Sequence, residues 1–194
     1  MQENNVIPIV IVLVAAVIVG FAAWSTQRAR RRRELAHKYG HEYERIVRAK
    51  GDPALAQREL EAREKRVSSF KLRQLPPELR QRHLSEWNRI QAAFVDEPAR
   101  AAREAHQLLT TVMHDRGYPD AELAQRQRDL SVHYPELLEP YREACEIAAR
   151  SDNGGGASTE DLRRATVCYR SLLTALLDGR PSAHEQRELQ EISR

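Results

Sequence analysis

Two short phrases carry the residue types of a hydrolytic metal site: HEYER, with His41 and Glu42, and HEQRE, with His184 and Glu185. A zinc-protease helix needs a second histidine four residues after the first, so that two imidazoles face one ion. That position holds Arg45 in the first phrase and Glu188 in the second. The phrase ELAH places Glu34 and His37 at the spacing of one half of a di-iron bundle site. No second copy exists, and the neighbouring arginines would repel a cation. His37 and His41 are four apart, a spacing that can clip a metal on a helix, but Gly40 interrupts that helix. His106 and His114 lie two turns apart on one helix and read as packed or surface histidines. Cys145 and Cys168 lie far apart on apolar stretches and read as free, buried thiols, without the spacing of a metal site. The triple glycine at 154–156 lacks the Gly-Lys-Ser/Thr of a phosphate loop, and no serine or cysteine sits in a nucleophile turn. These residues assign no catalytic group, no metal and no cofactor.

The most concentrated chemistry is positive charge. Arg28, Arg30, Arg31, Arg32 and Arg33 fall within six positions, directly after residues 6–24, VIPIVIVLVAAVIVGFAAW, which carry no charge. Nineteen helical residues rise about 28 Å, close to the thickness of a bilayer's hydrocarbon core. The run is apolar on every face, Pro8 falls in its first turn, and Trp24 closes it where an indole prefers to lie. A cleaved signal peptide would carry its positive charge before the apolar stretch. Here MQENN precedes it with Glu3 and no Lys or Arg, and the arginines follow. Arginine-rich flanks stay on the cytoplasmic side. The expectation is a single span with the N-terminus outside and the remainder in the cytoplasm. Secretion after cleavage at GFAAWS is the rival. The five arginines are read as the topology signal, with contact to anionic headgroups as a further role.

The chain of 194 residues has 31 basic and 28 acidic side chains, a net charge of +3. Residues 1–33 hold five of the bases and one acid, which leaves 34–194 with 26 against 27 and a net charge of −1. The part beyond the arginines is therefore balanced, which argues against a nucleic-acid partner. Its bases are mostly arginine, and the whole chain has only four lysines.

The elements that carry these residues are helical. The span continues as a polar helix to Lys38. A short helix follows from Glu42 to Lys50 and ends at Gly51. Asp52 and Pro53 are an N-cap and first position for the next helix, whose thin stripe is Ala56, Leu60 and Val67. Glu59–Arg63 and Glu61–Lys65 are i,i+4 pairs, so this helix reads as largely solvated. FKLRQLPPE is extended. Leu84, Trp87, Ile90 and Phe94 mark a further stripe, and Ala101, Ala105, Leu108, Leu109 and Val112 another, capped by Gly117. YPDAELAQRQRDL is a shorter helix. PELLEPYREACEIAAR contains Pro140, which predicts a kink or a late start. Ser158 with Asp161 forms a capping box for a helix bearing Leu162, Ala165, Tyr169, Leu172, Leu173 and Leu176.

Several of these phrases, YGHEYERIV after the arginines, FVDEP, VMHDRGYP, RDLSVHYPELLEPYREA and STEDLRRATVCYRSLL, resemble an uncharacterised family of bacterial single-pass membrane proteins. That family has an FGPEYDR-like phrase after the arginines and an ADLSVDHP-like phrase later. The resemblance spans residues 28–177, and departs from the family at Tyr39, His41 and Tyr134. It implies an anchor and a helical domain and carries over no site residue. The expected fold class is all-α, with a leader at 1–5, a transmembrane helix at 6–24, an arginine-rich juxtamembrane helix at 25–38, a bundle-like domain of about five to six helices at 39–178 and a flexible tail at 179–194. The expected role is a membrane-anchored, non-enzymatic interaction module. Its partners are membrane lipid and either another protein or a second copy of itself. An enzyme or small-ligand-binding bundle is the alternative.

Overall fold

The computed structural model describes the backbone of residues 6–152 and 156–179, and side chains from residue 14 onward. Among these residues the chain is all-α, with eight helices and no strand. They are α1 (Val6–Tyr39), α2 (His41–Lys50), α3 (Pro53–Ser68), α4 (Pro77–Ala93), α5 (Pro98–Arg116), α6 (Leu123–Leu130), α7 (Pro135–Asp152) and α8 (Thr159–Asp178). Seven helices thus follow α1, against the expected five to six, and each contains one of the segments that the sequence marks as helical. The expected leader, the tips of the glycine turn and the tail from 180 lie outside the described residues.

Local signals set most boundaries. The Asp52 carboxylate accepts from the Ala54 N–H at 2.7 Å, with Pro53 at the first helical position. Ser158 and Asp161 complete the reciprocal capping box. Proline also opens α4, α5 and α7, where its missing N–H has no intrahelical partner to lose. The late start expected of α7 does not occur, since the helix begins at Pro135 and carries Pro140 inside it. Gly40 separates α1 from α2 at φ 47° and ψ −120°, a conformation costly for any residue with a Cβ.

Gly117 has a second constraint. It ends α5 at φ 96°, and a Cβ there would lie 2.5 Å from the Lys71 carbonyl oxygen. The extended segment before α4 is stitched to this helix end: Arg73 N–H donates to the Arg116 carbonyl at 2.9 Å, and Arg116 Nη1 donates to the Arg73 carbonyl at 2.7 Å. Because the obstacle is backbone, no rotamer change relieves it. Gly117→Ala should cost about 1–3 kcal/mol, read as a lowered midpoint in denaturant; an unchanged midpoint would mean the segment is not docked there.

Two apolar clusters form. The larger joins α4, α5, α7 and α8 around Ile90, Leu109, Leu138, Tyr141, Tyr169 and Leu172. The smaller holds Leu35 and Tyr39 of α1, Ile46 of α2, and Ala56 and Leu60 of α3. α1 therefore ends as part of a folded unit. On α4 the buried stripe is His83, Trp87 and Ile90. The expected Leu84 and Phe94 are half-buried, because α4 is rotated so that His83 reaches Asp115 on α5.

Among the described residues no helix is long and apolar enough to cross a membrane, so the expected span is not supported by them. The side chains of 6–13 lie outside the description. The remainder of the run, 14–24, rises only about 16 Å, roughly half a hydrocarbon core, before the arginines begin. Its helix is nonetheless continuous with the polar stretch that follows. Val14, Val17, Ile18, Val19, Phe21 and Trp24 are all exposed, by 52–70%.

Candidate functional site

The five arginines of the predicted topology signal meet different environments on α1. Arg28 places its guanidinium carbon 5.3 Å from the centre of the Trp24 ring, a cation–π contact that leaves the charge uncompensated. Arg31 is bound by carboxylates: Nη2 donates to Glu64 at 2.7 Å, Nη1 to Glu34 at 3.3 Å, and Glu61 lies 3.9 Å away. Arg32 Nε donates to Gln57 at 3.3 Å. Arg30 and Arg33 are exposed. Glu64 also accepts from Lys38 at 3.0 Å and from the Tyr39 hydroxyl at 3.2 Å. Thus α3 is docked along the polar end of α1. Between them opens a cleft of about 620 Å³, lined on one side by Trp24, Arg28 and Arg30 and on the other by Gln57, Arg58 and Glu61.

A second charged group lies deeper. Glu42 of α2, only 3% exposed, accepts from three arginines of three helices. Arg45 donates through Nε and Nη2, both at 3.0 Å. Arg63 of α3 donates through Nη1 at 2.6 Å. Arg142 of α7 donates through Nη1 at 2.7 and 3.1 Å separates its Nη2 from the other oxygen. Arg63, itself 5% exposed, also bonds Glu59 and reaches the Ser131 hydroxyl at 3.1 Å. Burial alone would raise the Glu42 pKa; the hydrogen bonds from Arg45, Arg142 and Arg63 outweigh it and hold the carboxyl down at about 2. Nearby, Arg66 Nε donates to the buried Asp129 at 3.0 Å. This hub joins the small apolar cluster to the large one. The phrases YGHEYERIV, RDLSVHYP and EPYREA, far apart in the chain, meet in it.

Sequence reasoning missed the hub. Glu42 looked like part of half a metal motif, and Arg63 like one end of a solvated i,i+4 pair. The pair with Glu59 does form, but Arg63 itself belongs to the buried face of α3, with Ala56, Leu60 and Val67. The available signal was Arg63 itself, which lies seven residues after Ala56 and three after Leu60, within the helical stripe.

The other candidates disperse. His41 is 96% exposed and 3.8 Å from Glu44, and Glu34 is paired with Arg31, so neither half-motif assembles. His184 lies outside the described residues. His106 and His114 diverge: His114 is exposed, while His106 stacks on Tyr169 with ring centres 5.5 Å apart. Burial, helped by the Arg126 charge, pushes the His106 pKa down. Cys145 is buried and burial pushes its thiol up; Cys168, expected to be buried, is only half-buried. Both are free. Among the described residues no three His, Cys, Asp or Glu side chains form a group able to hold a metal. His83 is a buried histidine the sequence did not single out; its Nε2 lies 2.8 Å from Asp115 Oδ2 and ties α4 to α5.

A further groove of about 320 Å³ lies between α4 and α8, lined by Trp87, Phe94, Thr166 and Val167 with Arg163 and Arg170 at the rim. The Trp87 Nε1–H is buried without an acceptor. Compared with known proteins, the chain matches no protein-family model, no curated protein and no solved structure.

Proposed function

We propose that the chain is a single-pass membrane protein of a bacterial cytoplasmic membrane, with its N-terminus outside, whose helical domain is a cytoplasmic, non-enzymatic interaction module. The observation that carries this reading is α1. One uninterrupted helix links the apolar run to the docked unit α1–α3, and its large apolar side chains from Val14 to Trp24 have no protein to cover them. Residues 6–24 in the sequence supply the full length a span needs. The likeness to arginine-anchored bacterial membrane proteins points the same way. The groove between α4 and α8, with its apolar floor and cationic rim, supports a protein partner or a second copy as the domain's ligand.

The alternative, a ligand-binding or catalytic bundle, draws on His106, Tyr141, Tyr169 and Cys145. These groups pack on one another, and none lines the cavities described above. The interaction module is favoured for that reason.

Topology is tested by cysteine accessibility. In cells stripped of any outer barrier, Gln2→Cys should react with a membrane-impermeant maleimide, and Gln190→Cys should react only after permeabilisation. The reverse pattern would place the domain outside, and labelling of both positions in sealed cells would remove the span.

A further inference from the structure

We propose that the cleft between α1 and α3 binds the phosphate group of an anionic phospholipid, and that Arg58 on α3 completes the site. The inference rests on the membrane-anchor reading and adds to it a defined headgroup site in place of diffuse attraction to the juxtamembrane arginines.

Charge compensation is the first argument. Arg31 lies against Glu34, Glu61 and Glu64, and Lys38 shares Glu64; the lining of the cleft, Arg28, Arg30, Arg31 and Arg58 against Glu34 and Glu61, therefore keeps a net charge of +2. Arg28 faces the Trp24 ring, and neither Arg30 nor Arg58 has a carboxylate within ion-pair distance among the described residues. Three cations without an ion-pair partner among the described residues, from two helices, therefore border one cavity. Elsewhere Arg45, Arg66, Arg89, Arg100, Arg163 and Arg164 each sit against a carboxylate; the exposed Arg48, Arg82, Arg150 and Arg170 do not, so what sets the cleft apart is that three such cations border one cavity. Guanidinium groups meet phosphate oxygens through paired, charge-assisted hydrogen bonds, which suits a phosphate anion over a simple halide.

Depth is the second. With Trp24 at the hydrocarbon boundary, Arg28 stands about 6 Å further along the helix axis. The polar layer of each leaflet is roughly 5–8 Å deep. Arg28 thus lies at the level of the lipid phosphates and Arg30, about 9 Å beyond Trp24, at the outer edge of that layer, and the docking of α3 on α1 brings Arg58 to the cleft from the other side. A cavity of about 620 Å³ is ample for a headgroup. Its Trp24 wall leads towards the acyl region, where the chains of a bound lipid would remain.

The phosphate could come from a lipid or from a soluble compound, and the test separates them. The full chain, purified in detergent, is equilibrated with mixed phosphatidylcholine and phosphatidylglycerol, and retained lipid is read by native mass spectrometry. Wild type should retain phosphatidylglycerol in preference. Arg58→Gln should weaken that retention about five-fold, the equivalent of the ~1 kcal/mol a basic residue contributes at an anionic surface. Arg33→Gln, an exposed member of the same arginine run outside the cleft, should change it less than two-fold. Equal losses in both variants, or none in either, would overturn the cleft. Displacement of the lipid by millimolar glycerol phosphate, with the same dependence on Arg58, would overturn the lipid source. Alkaline extraction of native membranes distinguishes the two levels: a chain that resists extraction but shows no Arg58 dependence loses only the cleft, whereas a chain released by alkali loses the anchor and the lipid source together.

Discussion

Glu42→Gln is expected to destabilise the protein by about 3–5 kcal/mol, the cost of leaving buried charges without their counter-ion. The substitution preserves shape and removes the charge that Arg63 and Arg142 share. Arg63 then remains 5% exposed with only Glu59 to balance it. Because the hub joins α2 and α3 to α7, the loss should be uneven. Amides of α2 and α3 should exchange faster in hydrogen–deuterium exchange, while α5 and α8, which pack on each other in the large cluster, should keep most of their protection. A change below about 1 kcal/mol would mean the carboxylate is not buried as described. The same group sets an acid response. Its folded pKa, about 2, lies below the ordinary value of 4.5. The ionised form is thus the one the fold stabilises, and this contribution is present above pH 4.5 and is lost as pH falls towards 2. The difference corresponds to ~3 kcal/mol. Denaturant midpoints of the wild type should fall across that window, and those of Glu42→Gln should be flatter there. Parallel curves would remove Glu42 as the cause.

The second large effect belongs to Leu172. It is 2% exposed on α8, the helix that packs against both α5 and α7. Leu172→Ala removes buried methyl groups and leaves a cavity that three packed helices cannot easily collapse, at a cost of about 2–5 kcal/mol. For a domain of this size that is a large share of total stability. Val167→Ala on the same helix, at a side chain 51% exposed, is the control and should change stability by less than ~0.5 kcal/mol. Thermal melts of the full chain that shift equally for the two variants would contradict the assigned core face.

Helix existence and most helix ends were legible because their causes are local. Asp52–Pro53, Ser158 with Asp161, and the glycines that close α2 and α5 act within four residues, the reach of a single helical turn. The stripe of α8 was legible for the same reason, since every apolar residue assigned to it is buried. The stripe of α4 was read one residue away from its centre. Apolar residues on both sides of a helix face look alike in sequence, and the rotation was settled by a polar contact, His83 to Asp115, across 32 positions.

The charge pattern along the chain, an uncharged run followed by five arginines and then a balanced remainder, is a property of composition and needs no fold to be read. Which charges meet is another matter. Glu42 and Arg142 are 100 residues apart, Arg63 and Ser131 are 68 apart, and Arg31 and Glu64 are 33 apart. In sequence these read as polar residues of solvated segments, Arg63 in the α3 stripe excepted, because local spacing carries no information about which face a distant helix will cover. Packing of α3 against α1 turned part of the arginine run into one wall of a cleft. Packing of α7 against α2 turned a surface carboxylate into a buried hub. Both arise from long-range burial, where desolvation makes an unpaired charge costly and so selects the helix arrangements that pair it.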